Sequence, residues 1–444
     1  MAKKPTHIEL RSYQVGFGDC FLLSFIYGKD DKRHVLIDFG TTGLPNHGKP
    51  SKPAKPSEHM PKVAEQLRKD CGGRLTAVVV THRHADHISG FGTDNKTGKS
   101  GEIIRLLKPR IIIQPWTEDP KAAKDATHAT SDSERSPKGF VASLAAMHAI
   151  ADAVLALTDR PPSWMSASLT KELRFLGMEN IANLSAVQNL IEIGKTPGTK
   201  AIYACHGSNA GLGTLLPGVK VQLLGPPSLD QSEKIRKQRS RDADQFWHLL
   251  SGPPSLRGQN PLAWGLKDKQ VGHTSTPPEA RWFRERLERM RGEQLLEIVR
   301  ALDAQMNNTS LILLFEAGGK KLLFSGDAQI ENWSYALEDA SSHTSTRKLL
   351  ADVDLYKVGH HGSLNATPRK LLWEGFKKRG SAKGNRLITV LSTMPGKHGS
   401  AQKKTEVPRK TLLEALRKES DLFNTDDLKF GANGEISNLI TLRV

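Results

Sequence analysis

The chain opens with a pattern that predicts three short strands. His7 to Val15 carries strand-like alternation, Cys20 to Tyr27 is a dense apolar run, and His34 to Gly40 a second one. A glycine turn, Gly16-Phe17-Gly18-Asp19, separates the first pair, and the charged turn Gly28 to Arg33 the second. Such runs broken by turn residues read as a meander. The proline-punctuated stretch 44–62 is predicted to be a mobile loop, because proline removes backbone donors and fixes φ. A helix is expected over about 62–69. Leu75 to Val80 follows, a β-branched run without alternation, as expected of a strand buried on both faces.

After a predicted helix near 102–107 and a strand at 110–114 the pattern changes. Residues 119–200 are rich in Ala, Ser and Leu at helical spacing, most clearly over 139–157. Strands resume at 200–203 and 219–224. Residues 228–305 are charged and proline-punctuated, with an amphipathic helix over 280–302. Both stretches are predicted to be insertions in a single domain spanning 1–444. The remaining strands fall at 310–317, 321–327, 354–358, 386–392 and 436–444, with a Gly318-Gly319 hairpin turn. Helices are expected near 367–378 and 409–418. This order of strands and helices predicts an α/β fold.

Composition narrows the setting. The chain has 444 residues, 37% of them hydrophobic and 25% charged, and a formal net charge of +17. That charge favours anionic partners at long range. Three cysteines, Cys20, Cys71 and Cys205, without CxxC spacing exclude a disulfide framework and a cysteine-only zinc knot. The N-terminal residues show no apolar signal segment, and no apolar run is long enough for a membrane span. A cytoplasmic protein without membrane insertion is expected. Between Arg369 and Lys410 stand twelve Lys or Arg against two acidic residues, Glu374 and Glu406. Within this basic segment Lys403, Lys404, Arg409 and Lys410 are candidate nucleic-acid contacts.

The chemistry concentrates after the buried strand, in Thr81-His82-Arg83-His84-Ala85-Asp86-His87. Three imidazoles and a carboxylate so closely spaced are poor core residues and a good set of N and O metal ligands. A turn leaving a strand can aim His82 and His84 at one point and Asp86 and His87 at another, the geometry of a two-metal hydrolase with ions ~3.5–4 Å apart. Further ligands are expected where apolar strands stop at glycine. Asp327 in Phe-Ser-Gly-Asp and the pair His360-His361 occupy such places. Asp38, which ends another apolar run, is expected to hold the ligand loop by hydrogen bonds, and Asp19 to buttress it.

The Thr-His-Arg-His-Ala-Asp-His segment resembles the HxHxDH signature of the metallo-β-lactamase superfamily. The surrounding motifs resemble those of the hydrolase domain of ComEC-type DNA-uptake proteins. They are Val15 to Cys20, Leu36 to Gly40, Asn308-Thr309-Ser310, Ser325 to Ala328 and Lys357 to Ser363, in the family's order. The resemblance implies an αββα sandwich with two divalent ions, zinc or manganese, in the cleft. It implies that His82 and His84 bind one ion, that Asp86, His87 and His360 bind the other, and that Asp327 bridges them. No histidine other than His206 stands where many members of the superfamily carry a further imidazole. Asn308 and Ser310 are expected behind the ligands. Asp86, His361 and Lys357 are expected to take part in catalysis, the last two as candidates to assist a leaving oxygen, along with Lys397 and His398.

Three functions follow as expectations. The first is a nuclease or phosphodiesterase acting on DNA or RNA, with a regulatory protein partner to restrain it. The second is a hydrolase of small esters, lactones, thioesters or β-lactams, since a fold does not fix a substrate. The third is a non-catalytic or partner-gated subunit of the same fold.

Overall fold

The computed structural model describes residues 3–45, 54–120, 183–232, 234, 306–382, 384–400, 402, 405–430 and 434–444, with scattered positions between 158 and 173. Most of the two predicted insertions, including the helices over 139–157 and 280–302, lies outside these residues.

Thirteen strands form two sheets among the described residues. The first has the order β13-β1-β2-β3-β4-β5-β6, made from Ser437–Arg443, His7–Tyr13, Cys20–Ile26, Lys32–Phe39, Ala77–Val79, Ile111–Pro115 and Lys200–Ala204. The second has the order β12-β11-β10-β9-β8-β7, made from Asp421–Asn424, Ile388–Leu391, Leu355–Lys357, Lys320–Phe324, Ile312–Ala317 and Val219–Gly225. The opening meander is antiparallel, as its turns require, whereas β3 to β6 and β9 to β12 run parallel.

Side chains alternate between faces along a strand, and here both faces are buried. Phe21, Leu23, Val35, Ile37 and Val79 pack inward against Leu313, Phe315, Phe324, Leu355 and Val390 of the other sheet. Leu22, Leu36, Val78 and Ile112 face outward, onto Val63 and Leu67 of α1 (Pro56–Asp70), Ile104 of α2 (Ser100–Leu106) and Leu190 of α3 (Leu184–Lys195). Leu314, Leu323, Tyr356 and Leu391 do the same on the far side, under Trp333, Leu350, Trp373, Leu412 and Leu416. The result is an α/β sandwich of αββα layering. Each fully buried Leu, Ile or Phe contributes roughly 1.5–3 kcal/mol, so these three layers dominate stability. Among the described residues no helix is long and apolar enough to cross a membrane.

Two expected boundaries are corrected. Helix α1 begins at Pro56, inside the predicted loop, with a proline where an unsatisfied helix N-terminus tolerates it and Pro61 further in. The helix expected over 367–378 is one 3-10 turn, Trp373–Gly375. Burial of Trp373 and Phe376, edge to face at 6.1 Å, shapes that segment instead. The helical stretches Ile330–Ser334 and His343–Ala351 were not anticipated.

The parallel strands deliver the reactive residues. Asp38 closes β3, the His82–His87 segment follows β4, Asp327 follows β9 and His360-His361 follow β10. All lie at the carboxyl ends of parallel strands, where ligands of open α/β sheets bind. Glycines let the loops touch. A Cβ on Gly40 would lie 2.5 Å from the carbonyl oxygen of Ala85, the carbonyl carbon of Asp86 and the nitrogen of His87. We expect Gly40→Ala to cost roughly 1–3 kcal/mol by overpacking and to lower metal content. Thermal unfolding and metal analysis check this, and an unaltered melting temperature with full metal content would refute it.

Candidate metal centre

The segment after β4 turns into a single helical turn, Ala85–Ile88, that presents Asp86 and His87 to the interior. Three groups of donor atoms converge there, each group within 4.8 Å: His82, His84 and Asp86; Asp86, His87, Asp327 and His361; and Asp19, Asp38 and His87. The first two share Asp86. His82 Nε2 lies 3.0 Å from His84 Nδ1, and His361 Nε2 lies 3.1 Å from Asp86 Oδ2.

Buried polar atoms normally find hydrogen-bond partners. Asp86 Oδ1, His87 Nε2 and both oxygens of Asp327 have none, although all are buried. His87 Nε2 and Asp327 Oδ1 approach to 3.1 Å without hydrogen-bond geometry. Lone pairs pointed at a common space, from imidazole and carboxylate donors only, fit a borderline or hard divalent cation.

Electrostatics agree with that arrangement. Burial, then the neighbouring His87 and His84, push the His82 pKa well below its usual value, so its ring is neutral and able to donate a lone pair. Burial opposes charge on His87, but the carboxylates of Asp327, Asp38, Asp86 and Asp19 hold its pKa well above normal. Burial would raise Asp327, yet His87 and His360 draw it well below the carboxylate range. A cation at this point would take over the role of those protons.

The supporting contacts orient the donors. Asp38 accepts hydrogen bonds from Thr81 N and Thr81 Oγ1, both at 2.7 Å, and its Oδ2 lies 2.8 Å from His87 Nδ1. Nδ1 of His87 is thereby engaged and Nε2 is left facing Asp327. His361 Nδ1 lies 2.8 Å from the Ser392 carbonyl, which likewise turns Nε2 toward Asp86. The Phe17 ring sits 4.3 Å from that of His361. The backbone N–H of Asp19 donates to the Asp86 carbonyl, and its carboxylate pairs with Lys357. Ser310 Oγ accepts from the Asp327 N–H at 3.3 Å. Sequence reasoning missed Thr81, Ser392 and Phe17. The first is a hydroxyl beside the motif, but nothing local marks the other two.

Several expectations change. His361, fully buried, belongs to the second donor group, and His360 does not; the His360 side chain is 27% exposed, its Nε2 lying 3.6 Å from Asp327 Oδ2. Both residues adopt the left-handed conformation, φ 44° and 52°, and this tight turn carries the second imidazole inward. Asp86 is common to both groups, and Asp327, expected to bridge, has Oδ1 3.1 Å from His87 Nε2 and Oδ2 3.9 Å from His82 Nε2, one oxygen toward an imidazole of each group. Lys357, expected to take part in catalysis, is 1% exposed, and its ammonium pairs with Asp19. Asn308 donates to Glu331 at 3.2 Å and touches no ligand directly. His206 Nδ1 lies 2.8 Å from the Leu224 carbonyl and the ring stacks edge-on against Tyr335, so it joins neither group.

The basic segment is also altered by folding. Arg369, Lys377, Lys378, Arg379, Arg386 and Arg409 form ion pairs with Glu374, Asp352, Asp354, Glu419, Asp421 and Glu406. Arg409 is 2% exposed, and its backbone N–H donates to the Gly362 carbonyl, tying it to the His360-His361 turn. It is no surface contact. Lys410 is exposed, and Lys403 and Lys404 lie outside the described residues.

Residues 14–118 match the family model of the metallo-beta-lactamase superfamily. The matched segment runs from the glycine turn through β5 and contains Asp19, Asp38 and the whole His82–His87 cluster. No curated protein matches the chain. The superfamily match together with the convergent donor groups indicates a metal-dependent hydrolase. Asp327 and His361, beyond the matched segment, complete the second group in space.

Replacing Asp38 by Asn removes the charged acceptor facing His87 Nδ1 while keeping the side-chain shape. We expect Asp38→Asn to weaken metal binding about 10–100-fold, the usual effect of losing a carboxylate behind a histidine ligand. Competition with a chelator measures it, and wild-type affinity would refute the orienting role.

Proposed function

We propose that the protein is a dinuclear metal-dependent phosphodiesterase acting on DNA or RNA. The observation that carries the reading is the pair of buried donor groups sharing Asp86. In this reading His82, His84 and Asp86 hold one divalent ion, and Asp86, His87, Asp327 and His361 hold the other. Such ions supply Lewis-acid activation of water near neutral pH and neutralise phosphoryl oxygens. The chain's own groups do the rest. Asp38 and the Ser392 carbonyl fix the imidazoles, Asp19 and Lys357 brace the loops beneath, and His360, partly exposed with Nε2 3.6 Å from Asp327 Oδ2, would give a proton to the departing oxygen. The formal charge of +17 and the ComEC-like order of motifs favour a polyanionic substrate.

A second reading, hydrolysis of a small ester, lactone or thioester, is favoured by the ion pairing of the basic segment. Six of its cations already face carboxylates, which reduces the charge available to a phosphate backbone.

The deciding experiment strips the protein of metal, refills it with zinc or manganese and offers single-stranded, linear duplex and circular DNA. Metal-dependent cleavage that Asp86→Ala abolishes, with binding that weakens steeply as salt rises, is expected. Protein that binds two ions per chain yet cuts no nucleic acid would sink the phosphodiesterase and leave the small-substrate hydrolase.

A further inference from the structure

A cavity of about 240 Å³ lies beside the helical turn Ala85–Ile88, bounded by Thr41, Thr42, Ala85, Ser89, Ser185 and Lys397. With ~3.6 residues per helical turn, Ala85 and Ser89 share a face that is not the face of Asp86 and His87. The cavity therefore adjoins the metal-bearing segment without being the metal centre.

Its walls are internally satisfied. Ser89 Oγ accepts from the Thr41 N–H at 2.8 Å and donates to the Thr41 carbonyl at 2.9 Å. Ser185 Oγ accepts from the Thr93 N–H at 2.7 Å. Asp94, which also borders the space, accepts through Oδ1 from the backbone N–H groups of Lys96 and Thr97 and keeps its negative charge. With these polar groups turned to one another, the surface left to a ligand is mainly apolar. Lys397 differs. Its stem lies over Gly43, where a Cβ would sit 2.9 Å from Cε, and its ammonium makes no ion pair or hydrogen bond among the described residues. Exposed Lys96 adds a second positive charge, which Asp94 offsets, so Lys397 carries the net charge of the lining.

We propose that this cavity binds a small amphipathic anion, with the apolar body against the Ala85 and Ser185 walls and the charge on Lys397. Size limits the body: the cavity exceeds the ~150 Å³ that holds benzene but falls short of the ~300 Å³ of drug-sized pockets, which suits about six to eight carbon atoms. A carboxylate and a phosphate monoester share the required chemistry. The site is separate from the catalytic reading above and stands or falls without it.

Calorimetry on the metal-loaded full chain tests it with hexanoate, phenyl phosphate and the neutral hexan-1-ol. Saturable binding of at least one anion is expected, about tenfold tighter than the alcohol, and weakened about tenfold by Lys397→Ala. Thr42→Trp, which fills the space, should abolish it with metal content unchanged. Preference for hexanoate identifies an acyl ligand, and preference for phenyl phosphate a phosphoryl one. No binding at about 10 mM would overturn the proposal. So would binding that ignores both variants, since the anion would then sit on the metals, or binding that Thr42→Trp removes but Lys397→Ala does not touch.

Discussion

Four carboxylates and four imidazoles share a water-poor interior at the carboxyl ends of the parallel strands, and the rest of the architecture answers to that concentration of charge. Burying one unpaired ion costs several kcal/mol even after relaxation. Asp19, Asp38, Asp86 and Asp327 are each 5% exposed or less. Two are compensated by the chain: Asp19 by the Lys357 ammonium, Asp38 by Thr81 and His87. Asp86 Oδ1 and both oxygens of Asp327 have no hydrogen-bond partner, and Asp19, for all its ion pair, has none at either oxygen. Asp38, held by Thr81 and His87, is fixed and orients, while oxygens left without hydrogen bonds suit a cation.

Fixing these groups demands close loops. The glycine turn at 16–18 and Gly40 admit backbone contacts that no side chain could share, and the Asp19 N–H reaches the Asp86 carbonyl through that gap. Two successive left-handed residues at 360 and 361, each costing of order 1–3 kcal/mol, persist because the Ser392 carbonyl, the Phe17 ring and Asp86 all hold the His361 imidazole. Strain at that turn exchanges a modest local cost for a placed ligand.

Much of this was legible in the sequence because it is local. The His82–His87 cluster, the strand-terminal positions of Asp38 and Asp327 and the short apolar runs are properties of neighbours along the chain. What escaped depends on distant residues. Which of His360 and His361 turns inward is set by backbone dihedrals and by a carbonyl 31 residues away, not by the motif, which is symmetric in the two. Proline content argued against a helix at 56–62, yet the first turn of α1 tolerates it. The charge of the basic segment was misjudged for a similar reason. Counting within a window from 369 to 410 omits Asp352, Asp354, Glu419 and Asp421, which the parallel β10, β11 and β12 arrangement brings alongside.

That last correction bears on substrate more than on fold. Counterion release by a polyanion requires cations free to replace the counterions, and an arginine already held by a carboxylate contributes little to it. The long-range field of a chain with +17 remains, because ion pairing does not alter net charge, so anions are still drawn toward the surface. Attraction and grip thus separate: the first belongs to the whole chain, the second to cations without carboxylate partners. Lys410 stands on the surface just past the Arg409 bond that anchors the His360-His361 turn, whereas Lys397 borders an apolar cavity on another face of the metal-bearing segment. A polyanion laid across the metal centre would meet the former, and only a small anion with an apolar body would suit the latter. On these two proposals, selection by charge at the surface and selection by shape beside the ligand turn would not constrain each other.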